Sequence, residues 1–430
     1  MQTKTNKRLL NVLTCCGLLF IVLAFGLSRR VDAQGLSLRG IGAVNESMAG
    51  AGTAAPLSAA GAIHWNPGSL ADFRNNQAEL GIGLVLPDSR IESTVGNITG
   101  SSSSESGVSP LPTMAVVMKT SNPRLTFGMG VYAIAGFKLN YNSSTTNPIH
   151  LPQGTLGPLP TFGRVNSEAE FFQIAPTISY ALTDSLAIGV SPTITIGRLG
   201  IEPLVAAAPT AGGFPSGSAT RLHFGGGGQI GMYYKPNQQF AAGLSVKTEQ
   251  YFEDFRYRTA DNVTGLPIET TAEFEYPLIV SLGTSYKFNE RTLIATDVRY
   301  FDYGQAEGFG TEGLEPDGSI AGLGWDSVIA VAIGIQHRVT EHFTMRGGYV
   351  WNENPIDADA VFVNSAAPLN LQHVASLGVQ MQLTDNMALS TTYLHAFDEA
   401  TSGLFAGVPG TNVTIRTAAY ALSTGITIDF

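Results

Sequence analysis

The side chains best equipped for chemistry are few and scattered. Seven histidines are spread over 430 residues. His337 and His342 flank a short polar turn, a spacing that matches no common metal set. His150 and His373 fall in or beside long polar connections. A hydrolase site there would need a Ser-His or Asp-His cluster, and neither a nucleophile elbow nor a phosphate loop accompanies them. Cys15 and Cys16 lie in an apolar leader that continues past them, which argues against lipid attachment. Cleavage of the leader leaves no cysteine, and therefore no disulfide or thiol chemistry. The expectation is no catalytic residue, no metal and no cofactor. What the polar residues do build is one tight turn, Asn66-Pro67-Gly68. Asn can bond nearby backbone there and Pro fixes φ, which an ordinary Asn-Pro turn would share.

The elements around that turn follow a rhythm. Short polar turns such as Ser121-Asn122-Pro123, Thr183-Asp184-Ser185 and Asn289-Glu290-Arg291 alternate with long connections rich in Gly, Pro, Asn and Ser. Between them, apolar residues alternate with small or polar ones. Tyr420, Leu422, Thr424, Ile426, Ile428 and Phe430 share one face, and Ala419, Ala421, Ser423, Gly425, Thr427 and Asp429 the other. Period two places these sets on opposite faces of a sheet, one suited to lipid and one to a lumen. Strands are read near 77–87, 112–120, 124–137, 168–181, 185–198, 219–235, 239–252, 268–288, 291–304, 325–338, 342–352, 371–383, 387–398 and 415–430. The fold class is all-β: a 14-stranded antiparallel transmembrane β-barrel, with short turns at the periplasmic rim and long loops outside.

Composition agrees. Charged residues make up only 13% of the chain and glycine accounts for 49 positions. The start reads as a signal peptide, residues 1–33. Lys4, Lys7 and Arg8 precede an apolar stretch from Leu9 to Leu27, and Val31-Asp32-Ala33 is the cleavage site. The alternative is a membrane anchor helix. Cleavage removes more basic than acidic residues, so the mature chain is more acidic than the formal −10 of the whole. An acidic chain without a basic patch excludes nucleic acid as a partner. Residues 34–76 do not alternate. They are rich in Gly and Ala and include Ile63, Trp65, Leu70 and Phe73, which a solvated tail would not need. They are expected to fill the lumen of the 77–430 barrel as a hatch, with helical stretches over 45–51 and after Pro56. A flexible periplasmic tail is the other reading.

The motifs in order carry a resemblance. Gly35-Leu36-Ser37-Leu38-Arg39-Gly40, then Met48-Ala49-Gly50-Ala51-Gly52, then His64-Trp65-Asn66-Pro67-Gly68-Ser69-Leu70 resemble the hatch of the FadL/TodX family. These are outer-membrane transporters of long-chain fatty acids and of toluene and other aromatic hydrocarbons. Members usually carry Asn-Pro-Ala, so Gly68 departs at the third position and is expected to loosen the turn. Phe127-Gly128-Met129-Gly130-Val131-Tyr132 with Gly136-Phe137 is similar to the family's third strand. Tyr276-Pro277-Leu278 to Asp302-Tyr303, and Arg346-Gly347-Gly348-Tyr349 with Asn354-Pro355, continue the likeness.

The resemblance implies passive transport across the bacterial outer membrane by a multi-pass barrel. Outer loops capture substrate, an apolar pocket above the hatch holds it, the hatch rearranges, and substrate leaves sideways through a kink in the third strand. Asn66, Pro67 and Gly68 are then the hatch gate. Gly128, Gly130 and Gly136 are candidate kink positions, since glycine in a strand permits bulges; the alternative is that they only make room for the hatch. Leu36, Leu38, Phe127, Tyr132, Phe137 and Phe172 are candidate pocket lining, although period two turns about half of them to lipid. A fatty acid needs a cation for its carboxylate, with Arg221, Lys247 and Arg346 as candidates. Partners are a hydrophobic small molecule, outer-membrane lipid and lipopolysaccharide, and the barrel assembly machinery that reads the terminal Phe430. The family implies a monomer. Fatty acid and aromatic hydrocarbon both remain open as substrate. The competing functions are a general porin or adhesion barrel, and an outer-membrane lipase or protease.

Overall fold

The computed structural model describes residues 35–210, 213–217, 221–261, 263–311 and 315–430. The signal peptide and its cleavage after Ala33 lie outside the described residues.

Alternation dictates the wall. On β1 (Gln77–Val95), Leu80, Ile82, Leu84 and Leu86 stand on the outside, while Glu79 and Ser89 are buried within. β2 (Ile98–Ser103) and β3 (Ser109–Lys119) are two pieces of one wall strand, both paired to β1. β4 (Leu125–Tyr141), β5 (Val165–Ala181), β6 (Leu186–Glu202) and β7 (His223–Tyr234) follow as a meander. β8 (Phe240–Lys247) and β9 (Gln250–Phe252) share the next position. β10 (Phe255–Ala260) and β11 (Pro267–Ala272) form a separate hairpin in the connection. β12 (Glu275–Tyr276) and β13 (Ile279–Lys287) resume the wall. β14 (Thr292–Phe301), β15 (Val328–Arg338), β16 (Phe343–Asn352), β17 (His373–Thr384), β18 (Met387–Gly403) and β19 (Asn412–Asp429) complete it.

β19 returns to β1, from Gln77↔Asp429 to Thr94↔Asn412. With split strands joined, the wall has fourteen antiparallel positions and no open edge. Closure satisfies the backbone where lipid offers no hydrogen bonds.

Two expected boundaries shift. The span expected as the first long loop, 88–111, instead prolongs β1 to Val95 and returns as β2. Ser101, Ser102 and Ser103 therefore sit on a strand. The strand expected over 268–288 is interrupted, because residues 267–272 pair with β10 above the wall.

Residues 35–76 fill the lumen as a hatch. Two short helices, α1 (Gly42–Glu46) and α2 (Ala59–Trp65), precede a 3-10 turn, Pro67–Asp72. The first helix sits a few residues ahead of the expected 45–51. α1 packs on β1, β17, β18 and β19, and α2 on β1, β3, β4 and β5, so the two helices line one continuous arc of the wall and meet at β1. Small residues on both partners allow this approach. A Cβ on Gly189 would stand 2.3 Å from Pro67, one on Gly243 2.2 Å from Thr53, and one on Gly348 2.4 Å from Met48. The small lumen face is thus a mould for the hatch. The four consecutive glycines 225–228 differ. The sequence suggests hatch clearance there, but Gly225 and Gly227 face residues 248–252 at the break between β8 and β9, and Gly226 and Gly228 face Thr193 and Ser191 of β6.

Candidate functional site

Asn66 is fully buried and closes the hatch turn. Its Oδ1 accepts from Gly68 N at 3.0 Å. Its Nδ2 donates to Thr53 O at 2.8 Å in the hatch and to Met232 O at 3.0 Å on β7. Pro67 opens the 3-10 turn, where its missing N–H is not needed. A Cβ on Gly68 would meet Gly231 O at 2.8 Å. The expected loosening is not what the contacts show, because the glycine lets the turn press against β7.

A second tie lies further round the wall, on β14. Asp297 Oδ2 accepts from Gly52 N (2.9 Å), Thr53 N (3.0 Å) and Thr53 Oγ1 (2.9 Å), and pairs with Arg299. Arg299 also donates to Gly50 O and lies over Trp65, 3.5 Å from the ring centroid. Both charges are buried. Sequence reading passed over them, although Asp297 and Arg299 share a lumen face two residues apart. On α2, His64 Nδ1 meets Lys247 Nζ at 3.2 Å. Burial, with Lys247 and Arg299 nearby, holds this imidazole neutral, well below its usual pKa.

The wall itself has a window. β3 pairs with β4 only from Thr113↔Tyr132 to Lys119↔Thr126, and residues 109–112 pair with β1 alone. Contact resumes where Glu105 N donates to Asn140 O and Asn140 N to Ser104 Oγ. Pro110 and Pro112 stand on this stretch and lack an N–H. Opposite them, the β4–β5 register shifts between Ala133 and Ala135, so Ile134 is a bulge residue. The leading hatch segment docks on the bulge through a Ser37↔Ala135 bridge and a Leu38 N–H donated to Ile134 O.

Behind the window lies a cavity of about 130 Å³, lined by Leu36, Leu38, Arg39, Leu111, Phe137 and Leu371 among others. A larger groove of about 480 Å³ opens among the long loops, with Phe274, Phe309 and Trp325 in its lining. Leu36, Phe137 and Leu369 line both, so the two spaces meet there.

A family model described as "Outer membrane protein transport protein (OMPP1/FadL/TodX)" matches residues 25–430. The chain belongs to this family. Among solved structures, the Pseudomonas putida toluene transporter TodX superposes with a TM-score of 0.67 at 18% identity, covering 91% of this chain and 99% of that one. A Pseudomonas aeruginosa FadL homologue gives 0.69 at 16%, covering 92% and 100%. The Ralstonia pickettii toluene transporter TbuX gives 0.65 at 18%, covering 91% and 99%. These likenesses establish the shared fold. A comparison with curated proteins finds no match. FadL/TodX membership makes the chain a passive transporter of hydrophobic small molecules across the bacterial outer membrane, and not an enzyme. Among the described residues, no group of three His, Cys, Asp or Glu is placed to hold a metal.

Within this FadL/TodX barrel the candidate residues sort as follows. Leu36, Leu38, Phe137 and Phe172 line the inner cavity. Phe127 does not: it precedes the bulge on the outer face and is 37% exposed. Tyr132 is buried at the lower edge of the window, packed on His64, outside the cavity lining. Gly128 and Gly130 are corrected from kink to clearance. They pair regularly with β3, and a Cβ on either would press on Ile63 of the hatch. Gly136 lies two residues past the bulge and lines the cavity. The three proposed carboxylate anchors miss the cavity. Arg221 bonds His223 and Glu253 at the loop rim, Lys247 is held by His64 and Gln173, and Arg346 by Gln336 and Gln380. Arg39, which does line it, was read only as part of a motif.

Hatch seating should depend on pH through Glu46 on α1. Burial raises its carboxyl to about 7 from 4.5, helped by nearby Glu79 and opposed by a bond to Ser423. A raised acid binds its proton more tightly when seated. The resulting stabilisation is full below about 4.5 and lost as pH rises through about 7, a difference of about 3 kcal/mol. Hatch protection from protease should therefore weaken from pH 5 to pH 8 in the parent chain, and weaken less in Glu46→Gln, where the buried Glu79 remains bonded to Ala60 N. Equal slopes in both proteins would remove Glu46 as the cause.

Proposed function

We propose that substrate follows a bent path. It is held first in the loop groove, passes Leu36, Phe137 and Leu369 into the inner cavity, and leaves through the wall between β3 and β4 into the outer membrane. Asn66, Pro67 and Gly68 act as the hatch gate, because one side chain ties the turn to both hatch and wall. The observation that carries this reading is the window opening directly onto the cavity, above a hatch that fills the lumen.

Physical chemistry favours that exit. Each CH₂ exposed to water costs about 0.8 kcal/mol, so a sideways route keeps a hydrophobe out of the periplasmic water. A general porin is disfavoured because the hatch occupies the bore. Hydrophobic substrates of either kind fit this path, aromatic hydrocarbons and long aliphatic chains alike.

Uptake of labelled ethylbenzene and labelled oleate by cells carrying the chain in their outer membrane tests the reading. At least one should enter several times faster than in cells without the chain, while planar bilayers show no steady current. A large steady current with no gain in uptake would make the protein a porin.

A further inference from the structure

Arg39 is a cation that the hatch and wall leave without a counter-charge. It is half-buried between them and lines the inner cavity. One nitrogen donates to Leu371 O at 3.1 Å, and Nε is buried without a partner. No ion pair among the described residues includes it. Burial lowers its pKa to about 10, which still leaves the guanidinium charged at neutral pH. A buried charge of this kind is costly until an anion or strong acceptor reaches it.

The rest of the lining says what that anion would be attached to. Leu36, Leu38, Leu111, Phe137 and Leu371 make the cavity apolar, and its volume is about 130 Å³. A space of roughly 150 Å³ takes one benzene ring, so a cavity of this size limits the ligand to about one ring. Lys138, the other cation on the lining, belongs to β4 beyond the bulge, where its pairing partner is Glu168. Glu170, the acid on the lining, is paired with Arg198 at 3.5 Å. The loop groove carries Glu273, Glu307 and Glu315 and no basic residue. Any preference for an anion therefore arises inside, at Arg39, and not at the mouth.

We propose that Arg39 binds the carboxylate of a compact hydrophobic acid, one ring or a short chain bearing a single carboxylate, and that the protein prefers such acids to uncharged hydrocarbons of the same size. This rests on the transport path proposed above. The guanidinium fork takes a carboxylate through two parallel hydrogen bonds, with the ring or chain against the leucines.

Calorimetric titration of the full mature protein in an uncharged detergent, with 4-ethylbenzoate and with ethylbenzene, tests it. The parent chain should bind the acid about tenfold more tightly or better, the scale of a charge-assisted hydrogen bond. Arg39→Gln should lose that preference while ethylbenzene affinity holds. Arg39→Lys should keep only part of it, since an ammonium holds the charge but not the fork, and Lys138→Gln all of it. Equal affinity for both compounds in the parent chain overturns the proposal. So does a preference that survives Arg39→Gln, or a loss of both ligands alike in Arg39→Gln and Arg39→Lys. Uptake of ethylbenzene without preference for the acid leaves the transport path standing. If neither compound binds or enters cells, the path falls as well.

Discussion

Deleting Ile134, in a chain that also carries Pro110→Val and Pro112→Val, is expected to cut uptake at least about tenfold while the barrel still assembles. The window exists because three local features coincide. Ile134 is one residue too many for the β4–β5 ladder, so residues from Ala135 onward change register. Pro110 and Pro112 withhold N–H groups from the facing stretch. The leading hatch segment occupies the space by bonding to Ile134 and Ala135. Removing the bulge restores the inward and outward alternation of β4 through Leu139, and valines restore the missing donors. Each added ladder bond contributes about 1 kcal/mol net, and in lipid each also removes an unsatisfied group. The closed wall leaves the cavity without its side exit. Heat-modifiable migration on gels should be unchanged, because the other twelve wall positions keep their pairing. Ile134→Val keeps the bulge and should transport normally. Full uptake by the deletion would mean that substrate leaves by another route, past the hatch.

The bulge also shows where sequence reading stops. Strand alternation was legible because lipid and lumen demand different residues at every second position, as in Leu422–Ser423 or Ile333–Gly334. A bulge adds one residue and no chemistry. Ile134 lies in the run Tyr132-Ala133-Ile134-Ala135-Gly136, which is apolar or small on both faces, so nothing marks the slip. The sequence reading therefore chose the glycines, and the mould for the hatch claimed two of them. The legible sign was Pro110 and Pro112, but Pro110 fell in a stretch expected to be loop. That loop was itself a misreading, because the serines of β2 are polar on both faces when a strand rises above the membrane. The hatch was legible from its small residues and its buried aromatics. Its anchors were not, because Asp297 and Arg299 gain meaning only when the chain brings Gly50, Gly52 and Thr53 to them across more than two hundred residues.

Asp297→Ala is expected to turn a silent barrel into a leaking one. The carboxylate takes four donors, three of them from Gly52 and Thr53 in the hatch, and neutralises Arg299. Its loss strands a buried guanidinium beside Trp65, a change that costs about 3–5 kcal/mol when one partner of a buried pair is removed. The Gly52 and Thr53 N–H groups lose their acceptor too, at about 1–3 kcal/mol each while they stay buried. The wall does not share these losses, because the β13–β14 and β14–β15 ladders use backbone groups only. The strain therefore relaxes by unseating residues 50–53, and water follows into the lumen. Planar bilayers should show steady openings for Asp297→Ala and none for the parent chain, with gel migration of both unchanged. Asp297→Asn should fall between them, since an amide still accepts from Gly52 and Thr53. The double change Asp297→Ala with Arg299→Leu should be quieter than Asp297→Ala alone, because it also removes the orphaned charge. A single mutant as silent as the parent would mean that Asn66 and the glycine mould hold the hatch without help from β14.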